Sequence, residues 1–241
     1  MPTQEEYQTS GAMDASPYQL AILFNNHGVN QLECGDFCGA RQMFHGAMEE
    51  IKLSLYPMGN SGLANRITNA NHCVKWSKNA QLQEDMNIQG MGSSNSFIFR
   101  RALVIEPVSD GHLPSPGFEV ESTVIIYNCA LSLLIEGFAS NTSNLLTLAQ
   151  QLFEIALIRE LDAMSRNQPN KDFLHAAICN NLGWIHGEFC NYDLAAHYFR
   201  AIVGGMSTMD ESALGRLDVY DSQGFMMNLV WSAHPDGAAA A

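Results

Sequence analysis

Apolar residues fall at helical intervals in three stretches of the chain. In the first, Ser16-Pro17 offers a capping residue and a first-turn proline, and Leu20, Leu23, Phe24, His27 and Leu32 follow at helical spacing until Gly35. Asp36 opens a second helix with Phe37, Ala40, Met43, Phe44, Ala47, Met48 and Ile51 along one stripe. Two amphipathic helices joined by a Gly-Asp turn predict an antiparallel hairpin over about 17–55.

The pattern repeats. Aligning Gly28 with Gly183 also aligns Asn25-Asn26 with Asn180-Asn181, Phe37 with Tyr192, Ala40 with Ala195 and Phe44 with Phe199, which predicts a hairpin over about 172–204. A looser copy over about 121–165 begins at Tyr127-Asn128-Cys129-Ala130 and continues with Ala149, Phe153 and Ala156. Ala130 and Ala149 are 19 positions apart where Gly28 and Ala40 are 12, and the extra seven residues are placed in the loop GFASNTSN. A single hairpin cannot bury both of its apolar faces, so the three are expected to pack as one unit spanning 16–232.

Between the first two hairpins the pattern lapses. Residues 57–96 hold few large apolar side chains and no sustained period, and are expected to be an unordered insertion. Residues 97–106, FIFRRALVIE, have strand composition and are expected to pair with a second apolar run, 224–231. Residues 1–15 and 233–241 read as flexible ends.

The recurring Asn-x-Gly/Ala, Gly-Asp-Phe/Tyr and Ala-x3-Phe-x2-Ala elements resemble the tetratricopeptide repeat (TPR). In that family small residues let paired helices approach closely. The matching positions are Gly28, Ala130 and Gly183 in the first helices, with Ala40, Ala149, Ala195, Ala47 and Ala156 in the second. Phe24, Ile126 and Cys179 stand where the family usually has Trp, Lys52 replaces the usual helix-ending proline, and the copies begin 102 and 53 residues apart instead of 34. The resemblance implies a mainly α fold of TPR-like antiparallel hairpins, irregular and with insertions, with a small strand pair beside them.

Charge narrows the partners. Of 241 residues only 15% are charged, and the formal net charge is −13. Residues 1–56 carry −5, residues 57–120 carry zero and residues 121–241 carry −8. The balance argues against nucleic acid, which is bound by displacing phosphate counterions with Lys and Arg, and against anionic membrane surfaces. The start of the chain is polar and acidic, and wholly apolar runs such as 20–24 are far shorter than a membrane span. An intracellular protein is expected, with cytoplasm favoured over nucleus. Six cysteines without CxxC pairs, Cys34 and Cys38 among them, read as reduced and packed in the core.

No catalytic or cofactor motif stands out. His175, His186 and His197 recur at 11-residue intervals but have no ligand cluster around them, and Gly90-Met91-Gly92-Ser93-Ser94 lacks the Gly-Lys-Ser/Thr ending of a phosphate loop. No metal, cofactor or enzymatic activity is expected. In all three copies, however, an asparagine lies two positions before the small residue: Asn26, Asn128 and Asn181. Side-chain amides carry both a donor and an acceptor and so match a peptide unit. The resemblance implies that this position faces a concave groove, where the amides would hold the backbone of an extended peptide; bonding between neighbouring helices is the alternative. Leu131 and Trp184, three residues further on, would add apolar contacts there or pack in the core. The first helices contain no Lys or Arg, which disfavours capture of an acidic peptide tail. The expectation is a non-enzymatic interaction module that binds a neutral or basic peptide segment of another protein. The alternative is a structural subunit that self-associates through apolar helix faces.

Overall fold

The computed structural model describes residues 16–55, 72–79, 97–107, 118–165, 173–207 and 219–233. These contain seven helices and two strands: α1 (Pro17–Glu33), α2 (Phe37–Leu55), β1 (His72–Asn79), β2 (Arg101–Pro107), α3 (Phe118–Ser140), α4 (Ser143–Ser165), α5 (Leu174–Glu188), α6 (Tyr192–Ser207) and α7 (Val219–Ala233). The ends 1–15 and 234–241 lie outside the described residues.

Local chemistry sets the helix ends. The Ser16 side chain accepts from the Gln19 N–H at 3.3 Å while the Gln19 side chain accepts from the Ser16 N–H at 3.0 Å, a reciprocal cap that starts α1. At its other end Gly35 takes a left-handed φ of 80°, and the Asp36 side chain then accepts from the Gly39 N–H at 2.9 Å to start α2. The other two hairpin turns are built alike, with Asn141 at φ 51° and Cys190 at φ 59°. In each turn the left-handed residue donates to the carbonyl three back and its successor to the carbonyl five back: Leu32 and Gln31, Phe138 and Gly137, Gly187 and His186 in the corresponding helix ends.

The middle turn is therefore as short as the others, with only Asn141 and Thr142 between α3 and α4. The seven extra residues of this copy lengthen the two helices and not the loop, because the apolar period runs on through Gly137 and Phe138 on one side and Leu145 and Leu146 on the other.

The small positions act as read. A Cβ on Gly28 would lie 2.7 Å from the Phe44 ring, and one on Gly183 would lie 2.5 Å from Phe199. Ala40, Ala47, Ala130, Ala149, Ala156 and Ala195 are all fully buried. Beyond the α1–α2, α3–α4 and α5–α6 pairs, α2 packs on α3, α4 on α5 and α6 on α7, so each helix lies against the next in chain order. By length and composition Glu119–Ser140 would suffice to cross a membrane, but 78% of an apolar 18-residue window within it is buried inside the protein.

Two sequence expectations are corrected. The partner of 97–106 is not 224–231: β2 pairs antiparallel with β1, with Cys73 opposite Glu106 and Trp76 opposite Leu103. Residues 224–231 belong to α7, whose buried side includes Asp221, Phe225, Asn228 and Ser232, a helical period that its apolar composition masks. Part of the segment read as an unordered insertion, His72–Asn79, is accordingly a strand; Trp76 anchors it edge-on against Phe99 and Tyr127, with ring centroids 5.2 and 5.9 Å apart. The rest of 57–96 lies outside the described residues.

Candidate functional site: an asparagine-lined groove

An extended strand points the N–H and C=O of alternate residues to opposite edges. Within β2 the even residue Ala102 turns its N–H to β1, donating to Ser77 Oγ at 3.1 Å. The odd residues face the helices, where side-chain amides take the place of a third strand.

Six asparagines form two trios that make the same bonds. At the C-terminal half of the segment, Asn128 of α3 accepts from Leu103 N–H at 2.9 Å and donates to its carbonyl at 2.7 Å, and Asn25 of α1 donates to the same carbonyl at 3.1 Å. Asn26 accepts from Ile105 N–H at 3.0 Å and donates to its carbonyl at 2.7 Å. Six residues earlier, Asn228 of α7 accepts from Phe97 N–H at 2.8 Å and donates to its carbonyl at 2.8 Å, with Asn180 of α5 donating to that carbonyl at 3.0 Å. Asn181 then accepts from Phe99 N–H and donates to its carbonyl, both at 3.0 Å.

The bonds within each trio also correspond. Asn128 donates to Asn25 at 2.8 Å and Asn25 to Asn26 at 3.1 Å; Asn228 donates to Asn180 at 2.6 Å and Asn180 to Asn181 at 3.3 Å. Six residues of strand span about 20 Å at ~3.3 Å per residue. Two helix-to-helix spacings of about 8–10 Å cover the same distance, which is why strand and helices stay in register.

Between the trios the segment is held differently. Tyr127 occupies the position that Asn25 and Asn180 hold in the other copies, and its hydroxyl donates to the Arg101 carbonyl at 3.0 Å. Burial, reinforced by the nearby Asp221 carboxylate, holds the Tyr127 phenol proton far above its ordinary range, so the hydroxyl remains a donor. The Arg101 guanidinium pairs with the fully buried Asp221 of α7 at 3.0 Å and donates from Nε to the Ser77 carbonyl at 2.8 Å. The outer half of α7 is tied to the same segment: Phe225 stacks on Phe99 at 5.3 Å, and Gly224 leaves room for the Phe97 ring.

Asn26, Asn128 and Asn181 thus meet on one extended backbone; Asn128 also donates to Asn25 on a neighbouring helix, whereas Asn26 and Asn181 accept from Asn25 and Asn180 on their own helices. The peptide belongs to this chain. Leu131 and Trp184 are buried, and Trp184 packs edge-on against Phe138 at 5.5 Å. Sequence reasoning missed Asn25, Asn180 and Asn228 as site residues, together with Tyr127 and the Arg101–Asp221 pair. The doublets Asn25-Asn26 and Asn180-Asn181 were the available signal, since an exposed helix face does not require two adjacent amides.

The cysteines depart from the expected core packing. Cys129 and Cys179 are buried, with burial pushing each thiol up to about 12, but Cys34, Cys38 and Cys190 are exposed because they sit at hairpin turns. His186 stacks on Tyr198 at 5.4 Å, and the His175 ring approaches Cys179 Sγ at 3.6 Å. Among the described residues no group of three or more His, Cys, Asp or Glu is placed to hold a metal ion. No protein-family model, curated protein or solved structure matches the chain.

Proposed function

We propose that this chain is a non-enzymatic protein-interaction module of TPR-like design, in which α1, α3, α5 and α7 form a groove for an extended peptide. The observation that carries the reading is the pair of asparagine trios on the backbone of Phe97, Phe99, Leu103 and Ile105. These bonds go to main-chain atoms, so they suit any extended strand that fits. The chain's own segment is the resident occupant, and a partner strand enters by exchange with it, reburying equivalent side chains as in strand addition to a sheet. The three similar turns and the close Gly–Phe contacts support the repeat reading.

The test is capture of interacting proteins from native cells by the wild-type chain and by an Asn26→Ala, Asn128→Ala, Asn181→Ala variant whose helicity has been checked. A partner held by the first and lost by the second supports the groove. Identical partners at unchanged affinity would remove it.

The second reading, a subunit that self-associates, is favoured by the outer face of α7. Val219, Met226, Met227 and Val230 are all more than half exposed, and a shallow hollow of about 710 Å³ lies along Gln223, Met226, Met227, Val230 and Trp231. Light scattering that shows a stable homo-oligomer, dispersed by Met227→Lys, would support this reading.

A further inference from the structure

β1 bonds along one edge and leaves the other open. Leu103 and Ile105 spend their N–H and C=O groups on Asn128, Asn25 and Asn26, so β2 bonds to β1 through its even residues. Val104 stands opposite Lys75 and Glu106 opposite Cys73, which turns the main chain of Lys75 and Cys73 towards β2. Val74 and Trp76, opposite Ile105 and Leu103, therefore direct their N–H and C=O groups away from it. Among the described residues no further strand lies beside β1, and nothing bonds to Val74 or Trp76 on that side. Glu33 closes the open row by accepting from the Lys78 N–H at 2.9 Å.

We propose that this edge pairs with β1 of a second copy, antiparallel about a two-fold axis at Val74, joining the two small sheets into one of four strands. The contact takes up the self-association reading above on a different surface. It needs no movement of the resident strand and does not use the outer face of α7.

Charge favours a second copy. Residues 57–120, which contain both strands, carry no net charge, whereas the rest of the chain carries −13. Two such chains meet with least repulsion at this sheet. Charge and main-chain bonding also fix the register. Pairing Val74 with Trp76 of the second copy would set the two Lys75 side chains directly opposite each other. Pairing Trp76 with Trp76 would set Val74 against Lys78, whose N–H is held by Glu33. Pairing Val74 with His72 would leave Trp76 opposite residue 70, beyond the start of β1. Pairing Val74 with Val74 avoids all three. Lys75 then lies opposite Cys73 of the second copy, in a row that ends at that copy's Glu106 carboxylate. Each copy offers a lysine and receives one, the self-complementarity of a two-fold contact.

The experiment follows the mass of the full chain by light scattering across a dilution series, where a monomer–dimer equilibrium is expected. Val74→Pro removes both N–H donors of the central pair but no bond to β2, so dimerisation is expected to weaken roughly 30-fold. Lys75→Cys reads the register directly and stands in should the proline variant fail to fold. Positions 75 and 73 of opposite copies form a pair without mutual main-chain bonds, with Cα atoms ~4.5 Å apart, within disulfide reach. Oxidised glutathione is expected to join the introduced thiol to Cys73 of the second copy, as located by peptide mapping.

A monomer at every concentration, with no such crosslink, overturns the proposal. So does a dimer that Met227→Lys disperses and Val74→Pro leaves intact, which assigns association to α7. Crosslinks confined to the exposed Cys34, Cys38 and Cys190 overturn it as well.

Discussion

Asn128 grips Leu103 at two points, accepting from its N–H at 2.9 Å and donating to its carbonyl at 2.7 Å. Both partners are fully buried or nearly so, and water is not on hand to replace a lost bond. Asn128→Ala therefore strands the Leu103 N–H, and an unfolding free energy lower by about 2–4 kcal/mol is expected in urea titration. Asn228→Ala should cost a similar amount at Phe97. The sites lie about 20 Å apart along the strand, so the double variant should match the summed losses within about 0.5 kcal/mol.

The central ion pair makes a contrasting prediction. Asp221→Ala removes one member of a pair whose side chains are 0% and 18% exposed, and is expected to cost about 3–5 kcal/mol. Replacing both members, with Arg101→Met and Asp221→Leu, should cost much less than the single change, because no desolvated charge is left behind. Thermal unfolding of the three chains at one pH decides this.

Glu121 of α3 gives the fold a pH dependence. It is fully buried, and burial raises its carboxyl from 4.5 to about 7, with the Tyr18 hydroxyl partly offsetting the rise through a hydrogen bond. Below pH 4.5 the group is protonated in folded and unfolded chains alike and costs nothing. Between pH 4.5 and 7 the unfolded chain ionises while the folded chain keeps its proton, so stability falls as pH rises. The accumulated loss above pH 7 is about 3 kcal/mol. Glu121→Gln should flatten this part of the stability profile and make the chain more stable than wild type at pH 8, as read by denaturant midpoints across the range.

Close approach of the paired helices is tested at two glycines. A methyl group on Gly183 would stand 2.5 Å from the Phe199 ring, and one on Gly28 2.7 Å from Phe44. Each Gly→Ala change should lower stability by about 1–3 kcal/mol despite alanine's higher helix propensity. Combining Gly183→Ala with Phe199→Leu should cost less than the two changes summed, a coupling that a purely local helix effect would not produce.

The hairpins were legible because their signals are local. Ser16, Gly35 and Asp36 mark helix ends by bonding to residues three to five positions away, and the alanines recur at fixed offsets from Phe44, Phe153 and Phe199. Asn26, Asn128 and Asn181 could be placed on a common face for the same reason. Their occupant was not legible. The bond from Asn26 to Ile105 spans 79 positions and that from Phe97 to Asn228 spans 131, and no pattern within a window of neighbours reports such a pairing. Residues 219–233 misled because Phe225, Met226, Met227, Leu229 and Val230 put apolar side chains all round a helix, hiding the buried row through Asp221, Phe225, Asn228 and Ser232. Leu131 and Trp184 were offered to the groove by their spacing from an asparagine, yet on helices covered from several sides that spacing leads into the core.

The direction of the strand has a consequence for how the chain is made. The segment runs against the order of the helices that hold it: Ile105 lies on α1, Leu103 on α3, Phe99 on α5 and Phe97 on α7. As synthesis proceeds from the N-terminus, every residue of the first trio has emerged once Asn128 is made, while the second trio waits a further hundred residues for Asn228. The nascent strand can thus be seated at its later half first and zipped backwards towards Phe97, with α7 arriving last to fasten the end that was made earliest.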